Sequence, residues 1–429
     1  MATQLLNHAG TKITIQIEVD LSGSMMEIEE TILKSVNEVG AELTKEGLKR
    51  FDADGEPLMQ GDVKWYSRGQ PAKTYQTPYG DIEVNRHLYQ RSGGGVTFCP
   101  LECNARIVRA ATPRFAKMVT HKLTQVSGKH VKADLEENHG RAISKLLVQE
   151  LGLFVGAIAQ AKEENWEYAI PKLETTITAV GIGVDGTCVL LCDHQWRETM
   201  AGSISLYDAH GERQHTIYVG AAPEYGKETF FHRMEQEIAH VKALYPEAHT
   251  AGIADGAKSN WSFLRAHVDQ EIVDFYHASE YLTKAAEAIW DEPNDQDNRA
   301  IWLNEHCSRL KHESDGAETI FKEFQAVNTQ GWRLERQEKF AKCLTYFNNQ
   351  RHRMKYAEYQ KAGLPIGSGV TEAACKTLVK QRLCQSGMRW SDRGAQVILS
   401  LRALVLTNTR WNQFWDKISQ FGVPNFQNA

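Results

Sequence analysis

The segment "LPIGSGVTEAACKTLVKQRLCQSGMRW" contains one carboxylate, Glu372, among basic, small and apolar residues. Gly367 and Gly369 precede it and permit close approach of the backbone, and a helix start at this point presents N–H groups that favour phosphate. Lys376 and Lys380 repeat at helical spacing on the face of Glu372, where they can pair with flanking phosphates. The pattern therefore indicates contact with a phosphodiester. The alternative is a solvated helix, because most glutamates are surface residues.

Two aspartates occupy defined places on predicted strands. "TTITAVGIGVDGTCVLLCDH" predicts a strand whose period of two puts Ala179, Gly181, Gly183 and Asp185 on one face. Because its neighbours on that face almost lack side chains, we expect a phosphate backbone or a hydrated metal ion to be able to approach Asp185. "HTAGIADGAKSNW" predicts a short buried strand that ends at Asp255 and opens through a glycine into a helix.

The elements around these aspartates predict an α/β core. Three antiparallel strands come first, followed by a helix, a fourth strand, a helix and a fifth strand, "QEIVDFYHASEYL", which is predicted to end at Asp274 and His277. This is the element order of the ribonuclease-H-like fold, a mixed five-stranded sheet with helices. In that fold one acid lies mid-sheet on the first strand and another lies at the end of the fourth. Asp185 and Asp255 match those two places.

The N-terminal part predicts a long amphipathic helix over Ser22–Arg50, followed by a small β-rich module. In that module "GDIEVNRHLYQR" alternates with period two and "RSGGGVTFCPLEC" predicts a hairpin. Cys99 and Cys103 form one possible ligand pair, but a zinc ribbon needs two. A module without metal is therefore the favoured interpretation.

A helix-turn-helix region is predicted next. Short helices over about Arg114–Val126 and His130–Asn138 precede "NHGR" and a recognition helix, Ile143–Gln160. The polar residues expected to contact DNA near the start of that helix are Arg141, Ser144, Lys145 and Gln149. An ordinary three-helix bundle with a solvated basic face is the alternative.

Six regions follow from these patterns. The stretch before Glu372 is too long for a loop and reads as an inserted all-helical domain whose later part is basic. The predicted regions are 1–60, N-terminal helical; 61–112, small β-module; 113–165, helix-turn-helix; 172–280, first part of the core; 281–363, all-helical insertion; and 364–429, closing helices with the third acid.

Four motifs in order, "GVDGT", "ADGAKSNW", "DFYHASEYL" and "GSGVTEAACKTLVKQRLCQSGMRW", resemble the ISKra group of bacterial insertion-sequence DDE transposases, distant relatives of the Mutator-like transposases. The resemblance implies a catalytic, metal-binding triad of Asp185, Asp255 and Glu372. It also implies supporting roles for Asp274 and His277, which match the Asp-x-x-His signature of Mutator-like relatives. The β-module departs from many relatives, which have cysteine pairs where this chain has "YSRGQ" and "RSGGG".

The implied reaction is magnesium-dependent DNA cleavage and strand transfer. Two Mg²⁺ ions, for which Mn²⁺ is expected to substitute, activate the entering oxygen and stabilise the leaving oxygen of an in-line displacement at phosphorus. Carboxylates suit Mg²⁺, whereas histidine and cysteine clusters would point to zinc. The implied partners are double-stranded DNA, as terminal inverted repeats and target, and further copies of the chain in a homodimer or higher oligomer. The basic residues expected to contact DNA beside the triad are Lys376, Lys380, Arg382 and Arg389.

Composition bounds these expectations. The chain has 429 residues, eight scattered cysteines and a formal net charge of −5. Length predicts several domains, and unpaired cysteine spacing predicts reduced thiols in a cytoplasmic protein. The N-terminus lacks the pattern of a signal peptide, and no apolar run is long enough for a membrane span. The net charge opposes nucleic-acid binding only on average, because acidic residues concentrate near the N-terminus.

Several alternatives remain open from sequence alone. Cys188 and Cys192 with His194 resemble a metal site, but their spacing on a strand favours packed thiols. Asp274 is expected to make a structural hydrogen bond rather than bind metal, and His277 is either a core histidine or a positioning residue. A ribonuclease-H-like nuclease or resolvase without strand transfer would share the acids. A DNA-binding regulator or an inactive transposase descendant would not need them.

Overall fold

The computed structural model describes residues 3–163, 165–223, 226–256, 258–292 and 295–423. The chain divides into two compact units. The first comprises Met1–Tyr168, Ser400–Val405 and Thr409–Ala429, and the second comprises Ala169–Leu399 and Leu406–Asn408. Within the described residues, no helix is both long and apolar enough to cross a membrane.

The first unit begins with an antiparallel hairpin of β1 (Thr3–Ala9) and β2 (Lys12–Ile17). The prediction of a helical region over 1–60 omits this hairpin. Its turn contains Gly10 at φ +61°, a left-handed conformation that favours glycine, between two strand-like segments. The predicted long helix follows as α1 (Met25–Lys49).

The β-module forms two small sheets. Its strands are β3 (Leu58–Gln60), β4 (Val63–Ser67), β5 (Ala72–Gln76), β6 (Asp81–Asn85), β7 (Tyr89–Arg91) and β8 (Gly94–Phe98). One sheet has the order β3-β4-β7-β8, and β5 pairs with β6 in the other. The predicted hairpin is β7–β8, in which Arg91 pairs with Gly94. Tyr75, Ile82 and Val84 are buried in the core of the module.

Helices complete the N-terminal part of this unit. They are α2 (Pro100–Asn104), α3 (Pro113–Gln125), α4 (Gly128–His139) and α5 (Lys145–Lys162). The last three correspond to the predicted helix-turn-helix region, and α5 begins two residues after the predicted recognition helix. Gly140 ends α4 in a left-handed conformation, φ 60°, and Ser144 caps α5 by accepting a hydrogen bond from the Leu147 N–H.

The second unit is a mixed α/β fold with a five-stranded mixed sheet. Its strands are β9 (Ile177–Leu190), β10 (Trp196–Asp208), β11 (Arg213–Ala221), β12 (His249–Ala254) and β13 (Gln270–Val273). Their order is β11-β10-β9-β12-β13, with β9 to β11 antiparallel and β12 and β13 parallel to β9. The fifth strand is shorter than predicted. Asp274 and His277 do not lie on it, because Asp274 is the N-cap of the next helix.

Helices account for most of the remaining second unit, and the Ser400–Val405 part of the last of them belongs to the first unit. They are α6 (Gly226–Leu244), α7 (Lys258–Leu264), α8 (Phe275–Ile289), α9 (Gln296–His312), α10 (Gly316–Ala326), α11 (Leu334–Gln350), α12 (Tyr356–Lys361), α13 (Gly369–Ala374), α14 (Gln381–Leu383) and α15 (Asp392–Leu406). A 3-10 turn, Arg351–Arg353, and a π-helical stretch, Cys375–Lys380, interrupt the series. The predicted insertion 281–363 is accordingly helical in its described residues.

The last helix, α16 (Arg410–Phe421), belongs to the first unit. There the Lys117 ammonium donates a hydrogen bond to the Asn412 side-chain oxygen, 2.8 Å away. The Arg106 guanidinium donates to the carbonyl of Ser419 at 3.1 Å. The predicted closing region 364–429 is therefore divided between the two units.

Candidate functional site

Asp185 lies on the central strand of the second unit's sheet. It pairs with Ala201 of β10 on one side, and on the other side β12 pairs with β9 up to Ile253 and Gly183. One carboxylate oxygen of Asp185 accepts a hydrogen bond from the Gly186 N–H at 2.7 Å. The side chain is half-buried. The sheet and the adjoining backbone thus hold this carboxylate in a fixed orientation.

Asp255 is the first residue after β12, which ends at Ala254. Asp255 and Asp185 are each two residues beyond Ile253 and Gly183, the last pair between the parallel strands β12 and β9. The buried Asn260 of α7 donates a hydrogen bond to the carbonyl of Val184 at 3.2 Å, which ties the helix after Asp255 to the strand that carries Asp185.

The helix that carries Glu372 packs against the glycine-lined face of β9. A Cβ on Gly183 would lie 1.9 Å from Oγ1 of Thr371, and the Thr371 hydroxyl is 2.8 Å from the Ser203 hydroxyl on β10. This corrects the expectation that phosphate or metal approaches the glycine face. The missing side chains instead admit α13, which brings Glu372 towards the level of Asp185.

Glu372 is exposed but is held by a hydrogen-bonded connection to a buried acid. The Ser368 hydroxyl donates to Oε1 of Glu372 at 2.9 Å. The Ser368 N–H donates to Oδ2 of Asp274, whose other oxygen accepts from the His277 N–H at 2.6 Å. Asp274 is fully buried. It therefore positions the segment that precedes Glu372, as its predicted structural hydrogen bond implies.

Cys375 is a member of this cluster that the sequence patterns did not reveal. Its buried thiol donates a hydrogen bond to Oδ2 of Asp185, 3.4 Å away. Burial raises the pKa of the Cys375 thiol well above its usual range, and the negative charges of Asp185 and Glu372 raise it further. The thiol consequently stays protonated and acts as a hydrogen-bond donor between two candidate metal ligands.

Aromatic side chains line the site next to Asp255. The Tyr346 hydroxyl donates to the carbonyl of Asp255 at 3.3 Å, and its ring stacks on Tyr281 with centroids 3.7 Å apart. The His277 ring contacts both tyrosines edge-on, with centroids 5.5 Å and 5.8 Å away. Burial raises the pKa of Tyr346 and nearby Asp255 and Asp274 raise it further, so the hydroxyl remains a donor. His277 thus belongs to a packed aromatic cluster rather than to a strand end.

The carboxylates of Asp185, Asp255 and Glu372 have the donor chemistry that Mg²⁺ prefers. They come from three separate segments and lie at one end of the sheet. Across the described part of the chain, however, no three His, Cys, Asp or Glu side chains lie close enough together to hold a metal ion. The residues therefore fit magnesium in type and in sheet position, without forming a preassembled ligand cluster.

The residues predicted to contact DNA divide into exposed and buried groups. The exposed ones are Ser144, Lys145, Gln149, Lys376, Lys380 and Arg389. Arg141 is 6% exposed and donates to the carbonyl of Thr77 and the carboxylate of Asp81. Arg382 is 2% exposed and lies over the ring of Trp390. Burial leaves neither guanidinium accessible to a phosphate, so both assignments are corrected to structural roles.

The thiols of Cys188 and Cys192 are exposed. This corrects the expectation that they pack in the protein interior. His194 adopts a left-handed backbone conformation, φ 65°, and its Nε2 lies 3.0 Å from a guanidinium nitrogen of Arg389.

The sequence was also compared with known proteins. No protein-family model matches the chain, and no curated protein matches it at a significant level.

Proposed function

We propose that this chain is a DDE-type DNA transposase that binds the ends of its element and catalyses DNA cleavage and strand transfer. The observation that supports the proposal is the sheet order β11-β10-β9-β12-β13, together with the places that three acids from distant segments take on its elements. Asp185 is on the central strand, Asp255 follows its parallel neighbour, and Glu372 is on a helix packed against that central strand. Both the sheet order and these positions are those expected of a ribonuclease-H-like core.

The chain's own residues would orient the reacting groups. Asp185, Asp255 and Glu372 would hold magnesium, which would supply activation of the entering oxygen and stabilisation of the leaving oxygen in a displacement at phosphorus. The Gly186 N–H and the Cys375 thiol hold the two oxygens of Asp185, and Ser368 holds Glu372. The exposed ammonium groups that follow Glu372 in the chain would neutralise flanking phosphates.

A strand-transfer assay tests this proposal. The full chain is incubated with duplexes that carry the element's ends and with a supercoiled target plasmid. Magnesium or manganese should support joining, whereas calcium should support assembly with little chemistry because its looser coordination positions the oxygens poorly. Excess chelator should abolish both cleavage and joining.

Each alternative function has its own result in the same assay. Cleavage of the ends without any joined product would replace the proposal with a nuclease or resolvase. Specific end binding without cleavage in either metal would indicate a non-catalytic regulator. Full activity in excess chelator would overturn the metal-dependent mechanism while leaving the transposase assignment intact.

A further inference from the structure

A cleft of about 1080 Å³ opens in the first unit, and its walls come from the β-module, the loop after α2, α5 and the end of α16. The lining residues that matter here are Trp65, Arg91, Glu102, Arg106, Arg109 and Phe154. None of the sequence patterns singled out this cleft. It lies outside the candidate catalytic site and does not involve the start of α5.

The cleft carries excess positive charge. Three arginines line it, and Glu102 is the one acid among its described lining residues. Glu102 is already neutralised, because the Lys73 ammonium is 2.7 Å from its carboxylate and the Arg86 guanidinium is 3.5 Å away. The arginine charges are therefore not balanced from within the cleft, which favours an anionic occupant.

Arg109 has an unusual backbone for its residue type. Its φ is +61°, in the left-handed region where glycine and asparagine are the less strained residues. Arg106 is also left-handed, φ 56°, but its guanidinium has a structural role at the carbonyl groups that end α16. The Arg109 guanidinium makes no comparable hydrogen bond within the described part of the chain, so it is available to bind a ligand.

Two of the guanidinium groups lie over aromatic rings. Arg91 lies over Trp65 at 5.1 Å and Arg109 lies over Phe154 at 4.6 Å, each measured to the ring centroid. A cation–π contact restrains a guanidinium, whose N–H donors can make a bidentate contact with phosphate. Trp65 also carries a buried indole N–H without a hydrogen-bond acceptor among the described residues.

We propose that this cleft binds the phosphodiester backbone of duplex DNA, with Arg91 and Arg109 as the contacting residues. Guanidinium groups that lie over aromatic rings, in a cleft with excess positive charge, suit phosphate oxygens. The identity of the ligand as DNA rests on the proposed function. The cleft adds a second DNA surface to the first unit, separate from the start of α5.

Equilibrium binding to fluorescent duplex DNA of mixed sequence tests this inference, with the full chain in chelator so that no chemistry occurs. Arg91→Ala and Arg109→Ala should each weaken binding roughly tenfold, as removal of a charge-assisted hydrogen bond implies. Each should also make the slope of log affinity against log salt shallower by about 0.9, the value for one phosphate. Lys64→Ala is the matched control, because Lys64 is an exposed cation of the same module that does not line the cleft. It should bind like the unmodified chain.

Arg109→Gly distinguishes a loss of DNA affinity from a loss of folding stability. Glycine relieves the left-handed backbone, so the melting temperature should be unchanged or higher while the affinity for DNA still falls. Affinity equal to that of the unmodified chain in both Arg91→Ala and Arg109→Gly would overturn the inference. Because the measurement involves no cleavage or joining, failure of this inference would leave the strand-transfer test of the proposed function unaffected.

Discussion

Ser368 connects a buried acid to an exposed one. Its N–H is bonded to Asp274 and its hydroxyl to Glu372, so the position of Glu372 depends on a residue with no charge of its own. Hydrogen bonds of this kind orient metal ligands, and their loss typically costs 10-fold to 100-fold in metal affinity or activity.

Replacing Ser368 should change the metal requirement of the reaction. We expect Ser368→Ala to raise the Mg²⁺ concentration for half-maximal cleavage by roughly 10-fold to 100-fold, because Glu372 loses its orienting donor. Ser368→Thr keeps the hydroxyl and should restore much of the magnesium response. Thr377→Ala, which removes a hydroxyl bonded to the Ala373 carbonyl instead, is the control. An unchanged magnesium titration for Ser368→Ala would contradict the positioning role.

Removing charge from the three acids should separate catalysis from binding. Asp185→Asn, Asp255→Asn and Glu372→Gln nearly preserve volume and each remove a candidate ligand charge. We expect loss of cleavage and joining with DNA affinity largely retained, measured by product gels and by equilibrium binding on the same preparations. Near-normal activity in any one variant would exclude that residue from the triad.

The candidate acids could be proposed from the sequence more readily than the residues that hold them in place. Asp185 and Asp255 were accessible because period-two strands and their ends are local patterns. Cys375 and Ser368 were not, because a cysteine or serine gains its role only when the fold brings a distant carboxylate to it. The same limit explains Arg141, since a basic residue beside a recognition helix gives no local sign that Asp81 will bury it.

At the scale of elements, the position of α13 depends on the absence of a side chain at Gly183 of β9. Gly183 leaves the space that Thr371 fills, and Thr371 in turn bonds Ser203. The helix that carries Glu372 is thus seated by packing against the strand that carries Asp185.

A side chain at position 183 should displace α13. Gly183→Ala should destabilise the chain by roughly 1–3 kcal/mol, as overpacking of a close contact does. Thr371→Ala in the same chain should recover part of the stability, because it removes the hydroxyl nearest the new methyl group. Denaturant unfolding measures both, with Gly369→Ala as the control, since a Cβ there meets nothing within 4 Å. Equal stability of Gly183→Ala and the unmodified chain would refute this packing.

The start of α5 should confer sequence preference. Lys145 and Gln149 are exposed on its first turns, where side chains can reach base edges in a groove. Their joint change to alanine should weaken binding to the element's ends more than to random duplex. Changing Lys376 and Lys380 should weaken both alike and reduce the salt slope by about 0.9 for each phosphate that is no longer neutralised. Equal weakening on both duplexes for the first pair would leave α5 as part of an ordinary bundle.

Element boundaries were predicted best where the signals are local. The period-two alternation of residues in its long strands predicts the sheet of the second unit. The β1–β2 hairpin is absent from the sequence-based prediction, although its turn contains a glycine. The predicted fifth strand is longer than β13, because Asp274, the N-cap of the next helix, follows Val273 without any break in the apolar pattern. The π-helical stretch after Glu372 has no simple sequence signal.

At the scale of the molecule, the first unit is discontinuous in sequence. Its α16 contributes buried side chains, Trp411, Phe414, Trp415 and Ile418, to a unit that otherwise consists of Met1–Tyr168 and the Ser400–Val405 part of α15. No local pattern predicts that residues on either side of a long intervening segment share a core.

Truncation tests whether the core of the first unit depends on α16. Ending the chain at Asn408 removes α16 and should expose the first unit to rapid hydrogen exchange, because large buried side chains are removed from its core. The second unit, whose sheet lies within Ala169–Leu399, should keep its protection. A chain ending at Val423 keeps α16 and serves as the control. Unchanged protection of α3 and α5 in the shorter chain would refute an essential role for α16.

The order of synthesis gives α16 a further consequence. A ribosome adds about 5–20 residues per second, so tens of seconds pass between completion of Tyr168 and emergence of α16. Once Val273 has also been added, the nascent chain has all five strands of the sheet and an N-terminal unit without its final helix. If the first unit binds DNA as proposed, we expect a polypeptide that is still being translated to bind DNA more weakly than the finished chain. Each molecule would reach its full affinity only after α16 has been synthesised.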